Sequence, residues 1–266
     1  FQYGREYLDR AVASMTLQVS RPALAALLVA VIALLSSIIT SIIAALMLVE
    51  TLRSLRLPRE KTVQITVVGC LAIGLGASLT PLGEPLSTIA VDALNLDFFG
   101  LTFLLAPYVL PGIAACSALV AFYARGEYAA ATASENMSES FWAVIFRGIK
   151  VFAFIAGLVL LGEAYAPLAH EYVANLSAPA LYWANVVGAA LDNATVIAIE
   201  IHGMELKLAR EVILALLASG GMLIQGNIPN IIAAGALRIS AAKWARYGIP
   251  LGLVFLVAYF LGLRLI

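Results

Sequence analysis

Leu191-Asp-Asn-Ala-Thr195, followed by Gly220-Gly-Met-Leu-Ile-Gln-Gly-Asn-Ile-Pro-Asn230, sets polar and helix-breaking residues twice inside otherwise apolar sequence. An earlier stretch repeats the device. Ser36, Ser37, Thr40 and Ser41 are followed by Gly76-Ala-Ser-Leu-Thr-Pro-Leu-Gly-Glu-Pro-Leu-Ser87. Polar backbone at membrane depth is tolerated only where protein or a water-filled cavity satisfies it. A matching pair of interruptions in two halves of a chain points to a transporter binding site.

The rest of the sequence supplies the membrane context. Of 266 residues, 62% are hydrophobic and 12% charged, about half the charge of a soluble domain. Apolar segments lie near 22–50, 62–95, 100–124, 141–162, 178–201, 212–237 and 247–266. Several exceed the 18 or so residues that cross a ~30 Å hydrocarbon core. The expected fold is an all-α polytopic membrane protein; the alternating ten-residue segments of a β-barrel are absent. Zero net charge gives no basic surface for nucleic acid. Cys70 and Cys116 sit in apolar runs without CxxC spacing and read as small core residues. No Ser-His-Asp set, HExxH or P-loop occurs, so the expectation is a non-enzyme without a cofactor, a bound Na⁺ aside.

Lys and Arg placement orients the chain. If 22–56 is a re-entrant hairpin, its flanks Arg5, Arg10, Arg21 and Arg53, Arg56, Arg59, Lys61 share one face. A second hairpin near 176–205 then enters from the opposite face. With 62–95 and 212–237 as broken helices, only Lys207, Arg210 and Arg264 of the 16 basic residues fall outside, in keeping with the positive-inside rule. At 1.5 Å per residue, arms of about 15 residues reach roughly 23 Å, past the midplane but not across. The domain reading is a first inverted repeat at 1–124, a cytoplasmic linker at 125–140 and a second inverted repeat at 141–266. The second crosses the membrane three times, which forces its twin to be inverted. The first lacks a counterpart of 141–162, so a further transmembrane helix is expected before Phe1. The C-terminus is expected outside a plasma membrane.

Thr40, Ser41, Asp192 and Asn193 stand where the hairpins should turn. Such residues also cap outgoing helices, but a carboxylate at mid-bilayer is a functional-site hypothesis by default. In the breaks, Pro81, Pro85 and Pro229 remove backbone donors, and exposed carbonyls there can bind a cation. Helix starts after each break favour an anion. Glu84 is the second intramembrane carboxylate, and no intramembrane Lys or Arg neutralises the pair. Glu200, His202 and His170 read as interfacial or surface residues. Trp142, Trp244 and Tyr247 read as inner interfacial anchors, and Tyr165 and Tyr172 as outer ones.

The Leu191–Thr195 and Gly220–Gly235 motifs resemble the second half of the ion transporter superfamily, which includes sodium/proton antiporters, arsenite permeases and sodium-coupled dicarboxylate carriers. The Gly76–Pro85 stretch resembles its first-half counterpart, and the similarity is greatest to a small, uncharacterised branch of cation transporters. The resemblance covers residues 22–124 and 176–250. It implies inverted repeats, opposed hairpins, broken helices, a homodimer in the lipid bilayer and elevator-like alternating access. It implies ion or substrate contacts at Ser37, Thr40, Ser41, Thr80, Gly83 and Glu84, and at Asp192, Asn193, Thr195, Gly226, Asn227 and Asn230. Two departures stand out. The first tip reads Ile-Ile-Thr-Ser where antiporters commonly carry Asp-Asn, and the Ser-Asn-Thr triplets of dicarboxylate carriers are missing. The expected function is a secondary active transporter, a Na⁺/proton antiporter in which Asp192 and Glu84 exchange cation for proton. The rivals are a cation-coupled carrier of a small anion and a non-transporting membrane scaffold.

Overall fold

The computed structural model describes residues 20–126 and 176–265, apart from 56 and 202, with isolated positions 146, 149, 153 and 160. Every described element is helical. Most of segment 141–162, nearly all of the linker, Trp142, Tyr165, His170, Tyr172 and His202 lie outside the described residues.

The first interrupted region forms α1 (Arg21–Ile39) and α2 (Ser41–Leu55), joined by one residue. That residue, Thr40, has φ 74°. A β-branched residue at positive φ is strained, and the strain turns the chain back within a single residue. The arms are 19 and 15 residues, so α1 exceeds the expected arm length and is about 28 Å long. Then come α3 (Arg59–Ala77), a break, α4 (Pro85–Ala93) and α5 (Gly100–Tyr123). The later region forms α6 (Ala178–Ala184), running into a 3₁₀ turn at Asn185–Ala189, and α7 (Asn193–Glu200). After them stand α8 (Leu206–Gly220), a second break containing a 3₁₀ turn at Ile224–Gly226, α9 (Ile228–Ala236) and α10 (Ala241–Leu265). By length and composition, α1, α3, α5 and α10 can each cross a membrane.

α3 is the hub, touching α1, α2, α5, α8, α9 and α10. Its sequence has no polar face, as expected of a helix surrounded by protein. Its glycines let neighbours close in, as small residues do between membrane helices. A Cβ at Gly69 would stand 2.8 Å from a Leu48 methyl, and one at Gly76 would stand 1.7 Å from the Ala33 carbonyl oxygen. Cys70 and Cys116 are buried free thiols.

Basic side chains tie helix ends together at both ends of the bundle. Arg53 donates to the Ala236 carbonyl (3.0 Å), Arg59 to that of Arg238 (2.8 Å) and Lys61 to that of Arg125. These bonds gather the C-terminal ends of α2, α5 and α9 with the start of α3. Elsewhere, Arg264 pairs with Glu211 (3.9 Å) and Arg210 lies 5.3 Å over the Tyr108 ring. The first contact joins α8 to the end of α10, and the second joins α8 to α5.

Candidate functional site

The two breaks are built alike, bond for bond. The Leu79 amide donates to Gly76 O (3.2 Å) and that of Met222 to Ser219 O (2.9 Å). Gly83 N–H donates to Thr80 O, as Gly226 N–H does to Leu223 O. The helix that resumes is nine residues long in both cases, after an extended residue: Glu84 (φ −159°, ψ 161°) and Asn227 (φ −156°, ψ 147°). Three residues on, the Ser87 hydroxyl donates to Ala77 O (3.1 Å) and the Asn230 amide to Gly220 O (2.8 Å). Each short helix ends on a left-handed residue, Asn95 (φ 50°) or Arg238 (φ 51°). Leu96 N–H then reaches Val91 O, as Ile239 N–H reaches Ala234 O, which is the Schellman closure. The offset between partners is the same throughout, from 84 to 227, 87 to 230 and 95 to 238.

Each hairpin turn meets a break. Ser41 N–H donates to Gly83 O (2.8 Å), and the Thr80 hydroxyl donates to Ser37 O. Gly83 is required here: a Cβ would fall 1.9 Å from the Ala77 carbonyl oxygen. In the second half, Gly188 packs on Leu216 and Ser219, and a Cβ at Gly220 would stand 3.3 Å from Asn193 Nδ2 and 3.0 Å from Gly226 O. Break two also reaches α3: the Asn227 Nδ2 lies 2.7 Å from where a Gly74 Cβ would be.

Four helix starts therefore converge, and they pair across the halves. α4 packs on α7, and α9 on α2. The α4–α7 pair carries both carboxylates. Glu84 is 5% exposed, faces the Asn227 side chain and feels the Asp192 charge. Its Oε1 has no partner. Asp192 is half-buried. Its carboxylate lies over the first N–H groups of α7 and the Thr195 hydroxyl, without the geometry of a formed cap. Beside it the buried Asn193 leaves Nδ2 unpartnered. Neither carboxylate has an ion pair among the described residues. A cavity of about 410 Å³ is lined by Thr40, Ser41, Gly83, Glu84, Thr88 and Ile228, with further residues of break one.

The predicted site residues thus divide. Thr40, Ser41, Gly83, Glu84, Asp192, Asn193, Thr195 and Asn227 gather around the helix starts. Ser37, Thr80 and Asn230 spend their donors on backbone oxygens: Ser37 on Leu34 O, Thr80 on Ser37 O, and Asn230 on Gly220 O and Leu223 O. They brace the frame. Gly226 is buried in the wall of break two.

The whole chain, residues 1–266, matches a family of proteins of unknown function. The chain belongs to the DUF1646 family. No curated protein matches it, and no solved structure does.

Sequence reasoning missed several braces of this DUF1646 chain. Thr102 on α5 donates to Leu79 O (2.6 Å), serving break one. Trp244 on α10 donates to Gly221 O (3.2 Å), serving break two. Trp244 is fully buried, so its reading as an interfacial anchor is corrected: the indole faces inward because a break carbonyl needs its N–H. Ser87, placed like Asn230, was the signal available in the sequence. Glu200, expected at an interface, is half-buried and accepts from Asn185 (3.0 Å). Among the described residues no three His, Cys, Asp or Glu side chains cluster as a metal chelate.

Proposed function

We propose that this DUF1646 protein is a secondary active cation/proton antiporter, with Na⁺ as its cation. The observation that carries the reading is Glu84. Its carboxylate is buried, one oxygen lacks a partner, no cation pairs with it among the described residues, and Asp192 stands across the α4–α7 contact. Burying a charge without a partner costs several kcal/mol, which is offset if the group binds a transported ion. Two carboxylates beside neutral hydroxyl, amide and carbonyl oxygens form a hard donor set, suited to an alkali cation rather than a soft metal. A proton and a cation would compete for the same oxygens, which couples their fluxes.

Alternating access follows from the paired breaks. In this reading the halves are inverted-topology repeats, as in the ion transporter superfamily, and the hairpins re-enter from opposite faces. The shared bond pattern at a fixed offset supports the repeat. The basic end at Arg53, Arg59, Lys61, Arg125 and Arg238 supports a cytoplasmic face there, with Lys207, Arg210 and Arg264 outside. Elevator motion in a plasma-membrane homodimer belongs to the same proposal.

A second reading has its own observation. The α2–α9 pair starts at Ser41 and Asn227 without a carboxylate, and two open helix starts attract anions. A cation-coupled anion carrier would use that pair. Proteoliposomes with an imposed pH gradient separate the readings. Addition of Na⁺, Li⁺ or K⁺ should dissipate the gradient, and Glu84→Gln or Asp192→Asn should abolish this. Full cation-dependent proton flux in both variants refutes the antiport mechanism; anion-dependent flux surviving in them supports the rival.

A further inference from the structure

A second pocket lies at the basic end, remote from the paired carboxylates in sequence and element. It measures about 270 Å³ and is lined by Arg59, Glu60, Val63, Lys243, Arg246 and Tyr247. Arg59 opens α3, and Lys243 and Arg246 lie in the first two turns of α10. Arg59 and Lys243 thus stand at helix N-termini, where the helix dipole opposes positive charge and favours anions, and Arg246 lies one turn further on. Such placement makes sense when an anion sits among them, served at once by side chains and helix starts. Spacing agrees: Lys243 and Arg246 are three apart and Arg59 and Val63 four apart, so each pair shares a helix face.

The lining carries one opposing charge, Glu60, and it is engaged, accepting from the Tyr247 hydroxyl at 2.6 Å. Arg59 spends Nη2 on Arg238 O and keeps its other donors among the described residues. No ion pair neutralises Lys243 or Arg246 among the described residues. Beside the cations, Val63 and the Tyr247 ring give the pocket an apolar wall.

We propose that this pocket binds a phosphate group, and that its bearer is an anionic phospholipid of the leaflet at the basic end. Basic pockets between transmembrane helices on the cytoplasmic side take such headgroups. The phosphate oxygens would accept from Arg59, Lys243 and Arg246, with the glycerol against Val63. The pocket also adjoins the transport frame, because Trp244, between the two α10 cations, holds the Gly221 carbonyl of break two. The bearer rests on the orientation read above; the binding does not require the antiport reading.

The test is native mass spectrometry of the full chain in detergent, with phosphatidylglycerol, phosphatidylcholine or inorganic phosphate added. The wild type should retain one phosphatidylglycerol per chain in preference to phosphatidylcholine. Lys243→Gln/Arg246→Gln should lower that preference roughly thirtyfold, as two interfacial cations are worth. Lys207→Gln, an exposed cation at the other end of the bundle, should leave it intact and shows that net charge alone is not the cause. Equal retention of both lipids, or a preference that survives in the double variant, overturns the proposal. Inorganic phosphate that binds without lipid and displaces phosphatidylglycerol at millimolar concentration overturns the lipid as bearer. Because the readout is bound mass, failure here leaves the transport assay unaffected, and the reverse.

Discussion

Gly83→Ala offers a sharp test of the break. The added Cβ would fall 1.9 Å from the Ala77 carbonyl oxygen and 2.6 Å from two further Ala77 backbone atoms. An ordinary contact needs at least 3.4 Å, so the chain must move by roughly 1.5 Å, and the obstacle is backbone that cannot rotate away. Overpacking of this kind costs about 1–3 kcal/mol. The same movement pulls Gly83 O from Ser41 N–H, now at 2.8 Å, which adds about 0.5–1.5 kcal/mol. The sum, about 2–4 kcal/mol, should lower the apparent Tm in detergent by roughly 5–10 °C. Gly235→Ala is the control. It lies within α9, and a Cβ there meets nothing within 4 Å, so it should leave the Tm unchanged or raise it slightly. Intrinsic fluorescence melts of both variants against wild type give the comparison. A Gly83→Ala protein melting within 2 °C or so of Gly235→Ala would refute the tight seating of the first tip on break one.

Three further outcomes follow from the geometry. Asn230→Ala removes two donors from buried carbonyls and Ser87→Ala removes one, so melting should drop about twice as far for Asn230→Ala; the reverse order would contradict their shared bracing role. Trp244→Phe loses the bond to Gly221 O and leaves a void, for about 1–3 kcal/mol, whereas a Trp lying in the lipid interface would melt unchanged. Single cysteines at exposed Lys243 and Lys207 should react with impermeant maleimide from opposite sides of oriented vesicles, against a silent background of buried Cys70 and Cys116; labelling of both from one side would overturn the orientation.

The interruptions were legible in sequence because proline, glycine and polar residues in apolar runs have few structural explanations. Pro85 and Pro229 mark where helices resume, and Glu84 and Asn227 are the extended residues near them. What the sequence did not disclose depends on contacts between distant segments. Thr102 and Trp244 sit in ordinary apolar helices, and only their distance to a break carbonyl reveals their use. The length of α1 was also hidden, since the turn at Thr40 depends on a strained φ rather than on glycine or proline. Thr80 and Asn230 matched the motif of ligand-binding residues, yet buried backbone oxygens in the same breaks compete for their donors.

The cross-pairing of helix starts gives the asymmetry of the two halves a chemical meaning. Glu84 shares its cavity with Ser41 of its own hairpin. Across the halves α4 also packs on α7 and α9 on α2, so one acidic residue from each half enters the same contact and the neutral starts share the other. At the acidic pair, each helix dipole is already complemented by a carboxylate of the protein, which leaves an incoming anion repelled and an incoming cation attracted. Asn227 links the pairs, because its side chain, on the neutral α9 start, lies beside the Glu84 carboxylate. Asn227→Asp would therefore add a third carboxylate against Glu84 without changing side-chain size. Repulsion at such a distance strengthens the hold on a proton or a cation. In the proteoliposome assay, cation-driven flux should half-saturate at a markedly different cation concentration, with the break itself intact by melting. An unchanged half-saturation would mean that Asn227 faces the frame rather than the ion.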